Sequence, residues 1–465
     1  MQLGDILDDQ SLDIVTSSVE IHHVAIDSRE CEPGTLFFAM PGGSHHGATF
    51  AARAVAHGAV AVVTDRAVKL PVPVIVVPRS QLQALVAHAS ATIVGHPETR
   101  TKLVGVTGTN GKTSVVSIVS SLARAVSWSA GSIGTLTNTR TTPSSPELFR
   151  VLETIVSGFD GVTKNSLVAM EVSSHALVQH RIDGLRFCVA AFTNLGHDHL
   201  DYHATMEEYF HAKASLFTSE YAQRAVIWVD DPYGERLAQS TTLPVTPVTR
   251  RDASDVDSSL RGSTYFWRGH LVNSPLVGGY NVDNSLVAMT VMSTLGVDDA
   301  FIAASMADVE SVPGRFEVVY GDEVTVVVDY AHTPEGLERL LRDVRALQPA
   351  GRLLTVFGAG GDRDRAKRPE MGRVVSQLSD VTFITSDNPR SETPESIIDA
   401  VASGVESAAD VVRSVDRRLA ISQAMERARR GDVIVVAGKG HETTQVSADA
   451  VIAFDDRVVV RELLR

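Results

Sequence analysis

The residues best suited to do chemistry are Gly108-Thr-Asn-Gly-Lys-Thr113. Glycines let backbone N–H groups converge on phosphate oxygens, and a helix opening there aims its positive end at the same anion. Lys112 adds a point charge, and the hydroxyl of Thr113 suits Mg²⁺. The generic phosphate loop carries a glycine five places before Gly111. This chain has Val106 there, so only the shorter Gly-Thr-Asn-Gly-Lys-Thr form is present. An ordinary turn could share this composition, but Gly-Lys-Thr between an apolar run and a helix favours a nucleotide.

Two further stretches offer groups that could act on that nucleotide. Glu171-Val-Ser-Ser-His175 and Thr193-Asn-Leu-Gly-His-Asp-His199-Leu-Asp-Tyr-His203 each follow an apolar run. A carboxylate and imidazoles beside a triphosphate would serve metal-assisted phosphoryl transfer. Histidines 197, 199 and 203 could instead suggest zinc, but no thiolate accompanies them and a phosphate loop calls for Mg²⁺. Lys213 falls on the apolar stripe of Met206, Tyr209, Phe210, Leu216 and Phe217. A lysine there usually snorkels from a core edge. Near a metal, burial would lower its pKa, and the neutral amine could capture CO₂ as an anionic carbamate. The residues alone leave both readings open.

Acid and arginine are mixed in Gly360-Gly-Asp-Arg363-Asp364 and in Asp387-Asn-Pro-Arg390, and Gly438-Lys-Gly-His-Glu442 adds a third strand end. Arginine forks hold carboxylates and carboxylates hold ammonium groups, so three such ends suit a zwitterion; surface ion pairing is the plainer alternative for any one. Near the start, Asp27-Ser28-Arg29 is either a ligand-binding strand end or a simple turn. His45-His46-Gly47 reads by itself as solvated imidazoles before a helix.

The elements that must position these groups follow from periodicity. Residues 1–98 contain short strands at 24–26, 36–39, 60–63 and 74–77, with helices near 48–57 and 81–93: a small α/β unit. A second unit, 99–317, runs from strand 102–106 through the phosphate loop into helix 114–123. Strands at 167–170 and 189–192 end in the polar motifs, as at the carboxyl edge of a parallel sheet. The third unit, 318–465, has strands at 324–328, 353–357, 381–385 and 433–437 alternating with helices, which predicts a Rossmann-like sheet. The fold class is α/β in three domains.

The length of 465 residues allows about two to four domains with ample core. A formal net charge of −14 argues against a nucleic-acid-binding face and means that a polyanionic substrate must be held by local reversals of charge. Cys31 and Cys188, far apart, read as reduced thiols. The first residues lack the basic and apolar regions of a signal peptide, and no apolar run approaches the ~18 residues of a membrane span. These features lead us to expect a cytoplasmic protein without membrane insertion.

Together the motifs resemble the Mur ligases. The resemblance also takes in Thr141-Thr-Pro, Tyr280-Asn-Val-Asp-Asn284, Pro313-Gly-Arg-Phe-Glu317 and Asp329-Tyr-Ala-His-Thr-Pro, in family order over nearly the whole chain. It implies a UDP-binding, an ATP-binding and an amino-acid-binding domain in one monomer. Gly108, Thr109, Asn110, Gly111, Lys112, Thr113 and Ser114 would cradle ATP, with Asn281, Arg315 and Asp329 as further nucleotide contacts. Thr113, Glu171, His199 and a carbamylated Lys213 would hold Mg²⁺. Ser28, His45, His46 and Gly47 resemble the uridine contacts, and Thr141, Thr142, Ser173, Gln179 and Arg181 those to the muramoyl-dipeptide. Arg363, Asp387, Asn388, Pro389, Arg390, Gly438 and Glu442 match the amino-acid pocket. Asp-Asn-Pro-Arg is the family's form where meso-diaminopimelate is added to UDP-MurNAc-L-Ala-D-Glu; lysine-adding relatives usually lack that arginine. Ornithine addition and a folylpolyglutamate synthetase-like ligase are the alternatives. The chain departs from the family pattern at His46, Arg140 and His197.

Overall fold

A computed structural model describes residues 1–465 apart from 8–12, 43–44, 139, 160, 162–164, 201, 322–323, 349 and 465. Three α/β lobes follow one another along the chain. In the first, strands His23–Ala25, Thr35–Phe38, Ala59–Thr64 and Val74–Val76 pair in sequence order, all parallel, under helix Arg79–Ile93. The expected helix over 48–57 divides into a 3₁₀ turn, Gly47–Phe50, and an α-helix, Ala51–Ala56.

The middle lobe holds a six-stranded parallel sheet. Its order is Val245–Val248, Ala225–Trp228, Val189–Phe192, Lys102–Thr107, Ser166–Glu171, Ser129–Ile133. Lys102–Thr107 sits inside the sheet and is buried from its second residue onward, which is why it reads as an unbroken apolar run. The chain crosses from one side of this strand to the other, and the crevice left at such a switch point is where ligands bind in open α/β sheets. Helix Gly279–Thr294 is buried nearly all round between helix Lys112–Ala125 and a three-stranded antiparallel sheet, Ala253–Ser259, Gly262–Trp267 and His270–Ser274. Tyr265, Trp267 and Val272 face that helix layer, while Phe266 and Leu271 on the opposite side stay exposed.

In the third lobe, strands Thr325–Asp329, Val433–Ala437, Leu353–Phe357, Val381–Thr385 and Val411–Ser414 run parallel, and Glu317–Tyr320 adds an antiparallel edge. Phe316 and Val277 pack into this lobe's core, so the chain is joined to it before the strand begins. A hairpin of Thr444–Val446 and Val451–Ala453 folds back over the sheet's carboxyl edge. Among the described residues, both cysteines are free and no helix is long and apolar enough to cross a membrane.

Candidate active site

The phosphate loop is held in a shape that only glycine allows. Gly108 has φ +151°, and a Cβ there would lie 1.9 Å from Thr193 Oγ1; at Gly111, with φ +86°, it would lie 2.4 Å from Asn284 Oδ1. The neighbouring strand end completes the loop: Thr109 N–H donates to Asn194 O (2.9 Å) and Asn110 N–H to Asn194 Oδ1 (2.9 Å). Lys112 folds back so that Nζ donates to the carbonyls of Gly108 (2.9 Å) and Thr109 (2.8 Å). Helix Lys112–Ala125 begins at this lysine, two residues before the expected start, so its N-terminal N–H groups sit at the loop mouth.

Lys213 lies on helix Met206–Ala214 and is 1 % exposed. Its Nζ donates to Gly108 O (2.8 Å), the carbonyl that Lys112 also uses, and lies 4.6 Å from the Tyr209 ring centre. Burial, with Lys112 nearby, drives its pKa well below the ordinary lysine value; burial also lowers that of Lys112. Lys213 is therefore a core residue presenting an amine with an unfavourable charged form, and not a surface snorkeler.

Glu171, 2 % exposed, ends strand Ser166–Glu171. Its Oε1 accepts from Thr113 Oγ1 (3.1 Å) and Thr135 N (2.8 Å). Half-buried His199 has φ +57° and stacks edge-on to His175 at 5.1 Å. Burial pushes the imidazole of His199 down toward its neutral form. The three histidines do not converge as a zinc site would require. His203 is buried on Ser174 Oγ (2.9 Å), His197 is exposed, and among the described residues no three His, Cys, Asp or Glu side chains cluster around a metal position. Asp201 of that motif lies outside the described residues. The Thr113 hydroxyl and the Glu171 carboxylate, 3.1 Å apart, are hard oxygen donors of the kind Mg²⁺ takes, whereas the imidazole of His199 is a softer nitrogen donor.

Beside the loop a cleft of about 280 Å³ opens between the middle and third lobes, walled by Gly111, Ser114 and Asn284 on one side and Tyr330, Glu335 and Arg339 on the other. Arg315 spans it: Nη2 donates to Thr113 Oγ1 (3.2 Å), and the guanidinium lies 4.2 Å from the Tyr330 ring centre. Asp329 accepts from Tyr280 OH (2.8 Å), Phe316 N (2.7 Å) and Ala331 N (2.7 Å). Asn281, expected in this cleft, is turned away. Its Nδ2 donates to Val277 O (2.8 Å), in the segment just ahead of its helix, and Asn284 one turn on lines the cleft instead.

The lobes are docked through charge. Asp198 of the middle lobe lies 3.9 Å from Lys367 and 4.0 Å from His332 of the third. Burial would raise its carboxyl pKa, but His199, His332 and Lys367 outweigh burial and hold it below the usual range. Tyr330 stacks at 5.0 Å on His441, so contact runs unbroken from Thr113 through Arg315 and Tyr330 to the Gly438–Glu442 stretch.

That stretch meets Asp387 and Asn388, both buried, at the end of strand Val381–Thr385. Asn388 Nδ2 donates to Glu442 Oε2 (2.7 Å), and a Cβ on Gly438 would lie 2.7 Å from Asp387 Oδ2. Arg390, at φ +51°, donates Nη1 to Gly361 O (2.6 Å). The carbonyl of Pro389 would be 1.9 Å from a Cβ on Gly361, and Arg363 is exposed beside Gly360. On the middle lobe, Thr142 Oγ1 donates to Glu171 O (2.9 Å), Ser173 caps helix Ser174–Val178, and Arg181 joins Gln179 Oε1 to Thr142 O. Thr141 Oγ1 accepts from Thr135 Oγ1 (3.4 Å).

In the first lobe His45 is exposed, and Ser28 Oγ accepts from Arg53 Nε (2.9 Å) and Nη2 (2.6 Å). His46 is not a solvated imidazole. Its Nε2 lies 2.8 Å from Asp65 Oδ1, and Nδ1 accepts from Ala48 N (3.0 Å), fixing the turn before Gly47. Both ring nitrogens are therefore committed within the lobe.

Residues 20–106 match the Mur ligase family catalytic domain, 106–292 the Mur ligase middle domain, and 314–440 the Mur ligase glutamate ligase domain. The UDP-N-acetylmuramoyl-L-alanyl-D-glutamate–2,6-diaminopimelate ligase of Gloeobacter violaceus is 41 % identical over 488 aligned residues, covering 100 % of this chain and 98 % of the relative. The chain belongs to the Mur ligase family. The ligase of the same name from Geobacillus kaustophilus is 42 % identical over 96 % of this chain and 95 % of its own length. A solved structure of a UDP-N-acetylmuramoyl-L-alanyl-D-glutamate–2,6-diaminopimelate ligase superposes with a TM-score of 0.68 at 31 % identity, covering 100 % of this chain and 98 % of the other.

For this Mur ligase the sequence reading left several site residues without a role. Asn194 braces the phosphate loop, Asn284 lines the cleft, and Asp198, His332 and Lys367 join the lobes. Arg53 fixes Ser28. Asn284 could have been found from its place one helical turn after Asn281. Nothing local marks Arg53 or Lys367, whose partners lie far away in the chain.

Proposed function

We infer that this Mur ligase uses ATP to add meso-diaminopimelate to UDP-N-acetylmuramoyl-L-alanyl-D-glutamate in peptidoglycan synthesis. The observation that carries this is the match of the whole chain, at 41 % identity, to a ligase of that name. Arg390 supports it, since a fork-shaped guanidinium can grip the second carboxylate of that amino acid.

The γ-phosphoryl of ATP passes to the side-chain carboxylate of the D-glutamyl residue, giving an acyl phosphate and ADP. The amine of meso-diaminopimelate attacks the acyl carbon, the tetrahedral intermediate expels phosphate, and the amide remains after loss of a proton. Lys112 and the N-terminus of its helix stabilise negative charge on the transferring group, which is the main catalytic work in such reactions. Arg315, already on Thr113, adds a cation from the end of the middle domain.

Thr113, Glu171, His199 and Lys213 would hold Mg²⁺, which when bound neutralises charge along the phosphates. Lys213 suits the role because its neutral amine can take up CO₂ as a carbamate with release of a proton, turning a repelling ammonium into an oxygen donor. Gly108–Ser114, Asn284 and Asp329 bind ATP. Ser28, His45 and Gly47 receive the uridine end, with His46 shaping the turn, and Thr141, Thr142, Ser173, Gln179 and Arg181 the dipeptide. Arg363, Asp387, Asn388, Pro389, Arg390, Gly438 and Glu442 receive the amino acid. The three domains span 1–98, 99–317 and 318–465, and the enzyme acts as a cytoplasmic monomer.

The test is phosphate release with UDP-muramoyl-dipeptide, ATP and either meso-diaminopimelate, L-lysine or ornithine. Turnover with meso-diaminopimelate is expected to dominate. Preference for lysine or ornithine would overturn the amino-acid assignment, and no turnover with any of the three would overturn the reaction.

A further inference from the structure

Lys439 has a buried ammonium that the reaction above does not use. Its side chain is 0 % exposed, an expensive place for an ammonium unless every donor is satisfied. It is drawn inward by the glycines on either side. Gly438 has φ +114° and Gly440 φ +51°, and a Cβ on Gly440 would lie 2.6 Å from Gly314 O and 2.7 Å from Tyr330 Cβ. The turn can therefore keep this shape only with glycine on both sides of Lys439.

The ammonium meets three acceptors: Thr444 O at 2.7 Å, Glu442 Oε2 at 3.0 Å and Asn388 Oδ1 at 3.3 Å. Three donors are all that a lysine has. Asn388 closes a triangle, because its Nδ2 donates to the same Glu442 Oε2 while its Oδ1 also accepts from Val446 N (2.9 Å). The amide of Asn388 is thereby locked in one orientation. Glu442 is held by Oε2, leaving Oε1 outside the triangle. The hairpin strand Thr444–Val446 is tied down at Thr444 by the lysine and at Gln445 by a bond from Nε2 to Asp387 O (2.7 Å).

We propose that Lys439 is the positioning residue of the amino-acid pocket: it fixes Asn388, Glu442 and the overlying hairpin in the arrangement that receives the incoming zwitterion, without itself touching ATP or the nucleotide-linked dipeptide. A methionine of similar length in its place has no donors. Asn388 Oδ1 and Glu442 would each lose a bond, the carboxylate would lose its cation, and both side chains would be free to turn before the amino acid arrives. Binding would then have to order them.

The proposal rests on the amino-acid-adding reading, and the experiment separates the two. Wild-type turnover with meso-diaminopimelate tests that reading; Lys439→Met and Lys439→Gln, assayed by phosphate release with each substrate varied in turn, test the positioning role. The KM for meso-diaminopimelate is expected to rise about tenfold or more in both variants, the loss expected for a charge-assisted bond. The KM values for ATP and the UDP-linked dipeptide are expected to stay within about twofold, as is the dissociation constant of a non-hydrolysable ATP analogue measured by calorimetry. An unchanged KM for the amino acid in either variant would overturn the proposal while leaving the reaction intact. So would a parallel rise in all three constants, or loss of analogue binding in both variants, since either would make Lys439 a general structural residue.

Discussion

The buried pair of Arg417 and Asp456 offers a severe test of how the third lobe holds its pocket. Both side chains are fully buried. Arg417 Nε and Nη2 donate to the two carboxylate oxygens at 2.8 and 2.7 Å, and its remaining donors reach Ala437 O (2.9 Å) and Ser386 O (3.3 Å). Those carbonyls immediately precede Gly438 and Asp387, so one guanidinium fastens two pocket-bearing strand ends to helix Asp456–Leu463. Asp456→Asn keeps the shape but leaves a buried cation without its counter-charge, which costs about 3–5 kcal/mol. Arg417→Met strands the carboxylate at a similar cost. The double variant Arg417→Met with Asp456→Leu removes both charges, and replacing a buried pair by apolar groups of similar volume is often neutral or stabilising by about 1–4 kcal/mol.

The coupling in this cycle should therefore be about 3 kcal/mol or more. Trp128, Trp228 and Trp267 all lie outside the third lobe, so tryptophan fluorescence would miss the effect. Amide hydrogen exchange in Val381–Thr385 and Val433–Ala437 reports it directly, and a 3 kcal/mol loss appears as more than about a hundredfold faster exchange. Single variants that lose less than about 1 kcal/mol, or a double variant as weak as the two singles summed, would refute this account of the pair.

Lys213→Ala should lower turnover at least about a hundredfold, the scale of losing one electrostatic catalytic group, and short-chain carboxylates should restore part of it; full activity of the alanine variant would remove the carbamate from the mechanism. Glu392, held by Arg368 and by Asp362 N, has its carboxyl brought down to about 2 from an ordinary 4.5. A depressed carboxyl pKa stabilises the fold above the unfolded value. Acid titration of third-lobe hydrogen exchange should therefore lose about 1–2 kcal/mol as pH falls from about 4.5 through about 2, and Glu392→Gln should lack that component. Cys31 is buried with its thiol pushed up to about 11, so alkylation at pH 8 should label Cys188 well before it, as peptide mass spectrometry would show.

Continuous apolar runs made much of the scaffold legible. The strands Val189–Phe192, Leu353–Phe357, Val381–Thr385 and Val433–Ala437 lie where periodicity put them, because central parallel strands are buried on both faces. The antiparallel sheet of residues 253–274 was not visible. Its first strand is mostly serine and aspartate, and one of its turns places Arg268 and Gly269 at positive φ, a signal weaker than Asn-Gly. Motif residues were legible as types but not as partners. Nothing around His46 announces Asp65, and nothing around Asn281 shows that its amide is taken by Val277 O, since both commitments exist only once the backbone has closed. The helical stripe pointed to Lys213, but only the fold shows it sharing a carbonyl with Lys112.

The 280 Å³ cleft takes Asn284 from one lobe and Tyr330 and Arg339 from the next, beside the bridge from Asp198 to Lys367. A nucleotide lodged between those walls therefore acts as mortar as well as fuel. By thermodynamic reciprocity, any molecule that pries Asp198 from Lys367 must loosen the nucleotide by the same factor by which the nucleotide resists the prying. A molecule that opened this seam would thus weaken a nucleotide held in the cleft without touching its phosphates.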